Sequence, residues 1–130
     1  MSLNVRVITP DKVVWDANAE EIILPSSTGQ LGILTDHAPL LTALDIGVMR
    51  VKADDKWLSI VLMEGFAEVE NNKVTILSNG AEEGINIDPL TAQSELEKVT
   101  LLVDQATTKK EKIEATLELR KAKARLQAVA

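Results

Sequence analysis

The sequence predicts an α+β fold that is mainly β: an N-terminal antiparallel β-sandwich of about 8–10 strands, residues 1–87, then a C-terminal antiparallel two-helix hairpin, residues 88–130. Two observations carry this. Between Leu3 and Ser78 the apolar residues fall in short Val- and Ile-rich blocks separated by turn residues, and beyond residue 87 their spacing changes from two to between three and four. A third bounds the core: with no Cys and only Trp15, Trp57 and Phe66 as aromatics, it must be aliphatic.

The strands follow in order. Leu3, Val5 and Val7 alternate with Asn4 and Arg6, as in a strand with one buried face. Glu21-Ile22-Ile23-Leu24 is expected to stop at Pro25, Gly29 and Gly32 bracket Leu31 as turn glycines, and Gly47 is expected to punctuate the chain after Asp45-Ile46. Trp57 to Met63 is an apolar run, divided from the preceding block by Asp54-Asp55. Asn71-Asn72, between Phe66-Ala67-Glu68-Val69 and Val74-Thr75-Ile76-Leu77, predicts a hairpin. Alternating faces need a second layer to cover them, hence a sandwich or flattened barrel.

The helices begin at Asp88-Pro89, where the Asp side chain is expected to cap free N–H groups and Pro gives up a donor that has no partner there. Ala92, Leu96, Val99, Val103 and Ala106 form one seam and Ala115, Leu119, Ala122, Leu126 and Val129 the other, with a capping box from Thr108 to Glu111 between them. So much alanine lets the helices lie close but limits the apolar area they bury. A pair of this size should lean on a neighbour, either the sandwich or another protein, and the sequence permits a switch between the two. Opened end to end, the helices would reach roughly 60 Å, against roughly 25–30 Å folded back.

Charge is unevenly placed. Residues 1–87 carry 6 basic and 13 acidic side chains, and residues 88–130 carry 8 and 7. Near the end, Arg120, Lys121, Lys123 and Arg125 occur with no acid among them. They suit the negative end of a helix dipole and pairing to Glu114 or Glu118, and equally a docking stripe for an acidic partner helix.

Several functions lose their hardware. No apolar run reaches the length of about 18 residues that a membrane span needs, and Met1 to Thr9 lacks the core of a secretory signal, so the chain is expected to stay in the compartment where it is made. The formal charge of −6 and the scarcity of aromatics disfavour nucleic acid. Without Cys there is no thiolate metal site or cysteine nucleophile, and one histidine, His37, cannot make a two-histidine metal site. His37 is expected to fix a loop or line an interface. Gly29-Gln30-Leu31-Gly32 has no following Lys-Ser/Thr pair to cradle phosphate, and Glu64, Glu68 and Glu70 sit near turns without an apolar pocket to make one of them an acid catalyst. No catalytic residue, metal or cofactor is expected.

Thr28-Gly29-Gln30-Leu31-Gly32-Ile33-Leu34 leading to His37-Ala38-Pro39-Leu40, then Thr42-Ala43 and Asp45-Ile46-Gly47, closely resembles the epsilon subunits of rotary F-type ATP synthases. Leu3-Asn4-Val5, Thr9-Pro10, Val14-Trp15-Asp16 and Glu21-Ile22-Ile23-Leu24 look most like the cyanobacterial and chloroplast branch. The resemblance spans the whole chain. It implies a non-catalytic rotor subunit in proton-driven ATP synthesis, bound to the gamma subunit and to the ring of c subunits, and peripheral on the cytoplasmic or stromal face of the thylakoid membrane. Ser27, Thr28, Gly29, Gln30 and Leu31 would face the c-ring, and His37, Ala38, Pro39, Leu40 and Leu41 would lie toward gamma. The hairpin would brake ATP hydrolysis, folded against the sandwich in one state and extended along gamma toward the beta and alpha subunits in another, where Arg120, Lys121, Lys123 and Arg125 would meet an acidic segment of beta.

Some family members bind ATP through Ile/Leu-Asp-x-x-Arg-Ala. The matching stretch here is Ile87-Asp88-Pro89-Leu90-Thr91-Ala92, with Thr91 in place of Arg and Lys121 in place of a second Arg, although Arg125 remains. ATP binding is therefore not expected, and Asp88 serves as the helix cap. Two other readings use the same residues: a β-sandwich adaptor for a peptide or sugar with the hairpin as a stability clip, and an isolated hydrolase built on scattered carboxylates.

Overall fold

Eight strands precede two helices in the computed structural model, which describes residues 2–129. The strands are β1 (Leu3–Ile8), β2 (Val13–Ala19), β3 (Glu21–Ser26), β4 (Gly29–Leu34), β5 (Leu40–Ala53), β6 (Lys56–Glu70), β7 (Lys73–Ser78) and β8 (Ala81–Glu83). A 3-10 turn, Gly84–Asn86, leads to α1 (Pro89–Gln105) and α2 (Lys109–Val129). The fold is the expected β-sandwich followed by a helical hairpin.

Hydrogen bonding runs in the order β2-β1-β7-β6-β5-β3-β4, with β8 added to β6. The sheet curls over so that β2 comes against β5 and β8, and the core fills the space between. Leu3, Val5, Val7, Ile22, Leu24, Ile33, Met49, Val51, Ile60, Leu62 and Ile76 are fully buried there, and the alternation of β1 puts Asn4 and Arg6 outside. Side chains of alternate residues point to opposite faces, so this one pattern fixes the register.

Two turns are built by residues that tolerate left-handed backbone. Asp54 and Asp55 (φ 53° and 61°) join β5 to β6, and Asn71 and Asn72 (φ 50° and 61°) join β6 to β7. Positive φ at both central residues gives the two-residue hairpin whose twist matches its strands.

Several expectations are corrected. β3 runs through Pro25 to Ser26, because Pro25 lies where β3 and β5 part and no ladder bond is lost. Gly47 lies inside β5, not at a break, and it packs there: a Cβ on it would sit 2.7 Å from Cβ of Pro25. Gly32 is mid-strand in β4. β5 and β6, at 14 and 15 residues, are long strands that serve both layers. One pairing, β1 with β7, is parallel in an otherwise antiparallel sheet.

Near Glu64-Gly65, β6 changes partner: Gly65 to Glu70 pair with β7, whereas Ile60 to Leu62 pair with β8. Both residues have positive φ (67° and 148°). The buried Ser78 holds the bend, its Oγ accepting from Met63 N–H at 3.2 Å and lying 2.8 Å from the Glu64 carbonyl and 2.7 Å from that of Gly80. One hydroxyl proton serves either carbonyl, not both together.

The hairpin rests on the outside of β5 and β6. Ile60 and Leu62 face the main core, while Val61 and Val48 form a second, small cluster with Ala124 of α2, flanked by Ile46, Met63, Ile87 and Ala128. Strands covered on both faces lose their alternation, which explains why Ile60-Val61-Leu62 is apolar throughout. The seam positions read from the sequence lie between or under the helices: Ala92 and Ala122 are buried and the other eight are partly buried.

Candidate functional site

The chain has 1 histidine, and among the described residues no three His, Asp or Glu side chains are grouped to hold a metal; four surfaces carry exposed or charged side chains.

The first surface is the β3–β4 turn. Ser26 and Gly29 close the ladder, Ser27 and Thr28 form the tip, and Gly29, Gln30 and Leu31 belong to β4. Ser26 Oγ lies 3.0 Å from Thr28 Oγ1 and accepts from Thr28 N–H at 3.1 Å, which stiffens the tip. Ser27, Thr28, Gly29 and Gln30 are exposed and Leu31 is tucked partly against the core.

The second is the loop Thr35 to Pro39. Its conformation is set from outside itself: Asp36 (φ 64°) donates its N–H to Asn72 Oδ1 at 2.6 Å, and Asn72 Nδ2 donates back to Asp36 Oδ1 at 3.2 Å. Asn72 in turn accepts at its carbonyl from Asn4 N–H, so loop, hairpin turn and first strand are tied at one point. His37 Nδ1 lies 2.7 Å from the Ala38 carbonyl, a contact within its own loop. Ala38 and Pro39 are exposed, Leu40 is half-buried, and Leu41 at the start of β5 is 71% exposed.

A third surface escaped the sequence reading. Ile8, Leu77, Phe66 and Ala43 lie opposite one another across β1, β7, β6 and β5, an apolar row on the outer face. Phe66 and Leu77 are 58% and 52% exposed, and the row floors a cleft of ≈ 660 Å³. It ends beside Ser27, whose N–H donates to Ala43. The signal was available: Phe66 shares its phase with Glu68 and Glu70 rather than with buried Ala67 and Val69, so it stands on the polar face.

The fourth is α2 with its cations. The four basic residues do not form one free stripe. Arg120 Nη2 reaches Asp45 of β5 at 4.0 Å, Lys121 pairs with Glu118 at 3.4 Å, and Arg125 contacts both Glu82 of β8 and Glu95 of α1. Lys123 is exposed and points away from the sheet side that buries Ala122 and Ala124. Elsewhere on the hairpin Leu101, Leu102 and Ile113 stand exposed, and Ile113 and Leu117 lie in a groove edged by Lys109, Lys112 and Arg120.

Asp88 occupies the N-cap position of α1, but its side chain caps no N–H; Oδ2 accepts from the Thr91 hydroxyl at 2.7 Å. The expected backbone cap is thus replaced by a side-chain bond three residues on. Half of the expected box at α2 forms: Glu111 N–H donates to Thr108 Oγ1 at 3.1 Å, but Glu111 Oε2 accepts at 3.2 Å from the N–H of Thr107, one residue before the cap.

The family described as "ATP synthase, Delta/Epsilon chain, beta-sandwich domain" matches residues 2–84. The chain is 83% identical over 130 residues to the ATP synthase epsilon chain, chloroplastic, of Emiliania huxleyi, covering all of both chains. It is 65% identical over 128 residues to that of Porphyra purpurea, covering 98% of this chain and 96% of the relative. To the ATP synthase epsilon chain of Synechococcus sp. (strain JA-2-3B'a(2-13)) it is 56% identical over 128 residues, covering 98% and 93%. In fold it is similar to a chain in the cryo-EM structure of the Euglena gracilis mitochondrial ATP synthase, OSCP/F1/c-ring in rotational state 1, with TM-score 0.86, 20% identity, and coverage of 99% of this chain and 82% of that one. Sandwich, hairpin and sequence agree over the full length: the chain belongs to the ATP synthase epsilon-chain family, on its chloroplast and cyanobacterial side.

Proposed function

We propose that this chain is a non-catalytic central-stalk subunit of an F-type ATP synthase, one that couples the gamma subunit to the c-ring and restrains ATP hydrolysis through its hairpin. The carrying observation is the two-part packing: among the described residues the main core contains none from the helices, whereas the hairpin is held by a small second cluster in which alanines supply the helical side. A body that is complete without its appendage can keep its place in an assembly while the appendage moves. Solved neighbours belong to assemblies described as F1/c-ring and central stalk/c-ring, which supports the same placement.

In this reading residues 1–87 are the coupling domain and residues 88–130 the regulatory one. The stiff turn Ser27 to Leu31 meets the c-ring, and the pinned loop His37 to Leu41 lies against gamma, with the apolar row through Phe66 and Leu77 as additional contact area. Extended, the hairpin reaches the beta and alpha subunits and presents Arg120, Lys121, Lys123 and Arg125 to an acidic segment of beta, where forked guanidinium bonds suit carboxylates. No helix of the described residues is long and apolar enough to cross a membrane, and we place the chain at the thylakoid surface only through its partners. In this reading the chain is not a nucleotide sensor, which is supported by Thr91 standing where the family motif has Arg and by its hydroxyl bonding Asp88. Calorimetry with the isolated chain is expected to register no micromolar ATP binding.

Removal of residues 88–130 tests the reading. Hydrolysis by the assembled complex is expected to rise severalfold while gamma still captures the truncated chain. Unchanged hydrolysis would make the hairpin structural, and loss of capture would remove the coupling role from the sandwich.

A further inference from the structure

Arg125 ties three segments of the chain together. Its Nε and Nη2 both donate to Oε1 of Glu82, at 3.1 Å and 2.9 Å, and its Nη1 lies 3.7 Å from Oε2 of Glu95. Glu82 belongs to the sandwich and Glu95 to α1, so one guanidinium on α2 spans the body and both helices. It is also better sheltered than its partners, with 28% of its side chain exposed against 40% for Glu82 and 46% for Glu95. Close by, Gly84 leaves just enough room for the end of α2: a Cβ there would lie 3.2 Å from the Ala128 carbonyl and 3.1 Å from that of Ser59.

We propose that Glu82 and Glu95 are regulatory positioning residues, a carboxylate clasp on Arg125 that sets how firmly the hairpin is held against the sandwich. The proposal rests on the reading of the hairpin as a movable brake and names what opposes its release. α1 buries only Ala92 among its side chains, and α2 only Ala122 and Ala124. Methyl groups of that size make only a modest apolar grip, so the charged contacts of Arg125 add a share that can shift the balance. Because a guanidinium in the clasp cannot at the same time face the carboxylates of a partner, the folded-back and extended states compete for the same cation.

This makes substitutions on the basic side ambiguous. Neutralising Arg125 removes a contact from both states, whereas neutralising the acids removes it from the folded-back state alone. Exposed pairs are weak singly and each acid can stand in for the other, so the pair is the proper unit.

The test uses the full-length chain carrying Glu82→Gln with Glu95→Gln. It has no native Cys, so Lys73→Cys and Gln105→Cys supply the sole thiols for a distance-reporting label pair between body and α1. The population with the hairpin away from the sandwich is expected to rise about two- to tenfold. Exchanging the charges, Arg125→Glu with Glu82→Arg on the Glu95→Gln background, is expected to restore the docked population. Unchanged separations in the doubly neutral variant, with the sandwich amides still protected from exchange, would overturn the clasp. In the assembled complex the same variant is expected to hydrolyse ATP more slowly. Loosening in the free chain together with unaltered hydrolysis would keep the clasp and sink the brake instead.

Discussion

Gly65 has no substitute in this chain. Its φ of 148° lies in a region that L side chains rarely adopt, and an added Cβ would run into the Leu77 carbonyl of the neighbouring strand. Gly65→Ala is therefore expected to cost about 2–4 kcal/mol, measured as a lowered urea midpoint. Gly32→Ala is the control: nothing lies within 4 Å of its added Cβ and its φ is ordinary, so the change should fall within about 0.5 kcal/mol of neutral. From composition the two glycines look alike, and Gly32 rather than Gly65 stands in the eye-catching cluster with Gly29. What separates them is backbone conformation and the neighbour across the ladder, neither of which one sequence displays. The same limit applies to Asp88, where residue type and position foretold a cap but not that the Thr91 hydroxyl would take its oxygen. At His37, Nδ1 meets the carbonyl of the next residue, Ala38, a contact that residue type alone does not announce.

Among the elements, the helices were the more readable. The three-to-four spacing marked the seam because a helix repeats every 3.6 residues and only one stripe can be covered. The strands were harder wherever two layers share them. Trp57 to Met63 is apolar for unlike reasons along its length: Ile60 and Leu62 face the core, Val61 lies under α2, and Trp57 and Leu58 are half in solvent beyond the edge of both. The element that joins these layers is α2, which lies close to the sheet because Ala124, only 4% exposed, presents a methyl group to Val48 and Val61. Ala124→Leu overfills that contact and is expected to weaken docking by about 1–3 kcal/mol. Hydrogen exchange should then quicken across α1 and α2 while the amides of β1 and β7 keep their protection. Uniform loss of protection would mean that body and hairpin unfold as one unit.

For the molecule as a whole, the separate cores predict unequal independence. A chain ending at residue 87 should remain folded and melt within roughly 10 °C of the full protein, since it loses only the cover over the second cluster. A peptide of residues 88–130 should be mostly unstructured by circular dichroism, because a helical pair of that size has too small a core of its own. The division into a β part and a helical part was open to the sequence, since it is written in the period of the apolar residues. The course of the chain through the sheet was not, and least of all the parallel union of β1 with β7, whose partners, Asn4 with Lys73 through Ile8 with Leu77, are far apart along the chain. That union bears on biosynthesis. A nascent chain can zip β1 onto β2 almost at once, yet the opposite margin of β1 stays bare on the ribosome until Ser78 has cleared the exit tunnel. Stalled translation before that point leaves an adhesive margin unguarded, so fragments ending between residues 20 and 72 are expected to pellet, whereas those reaching residue 87 should stay in the supernatant.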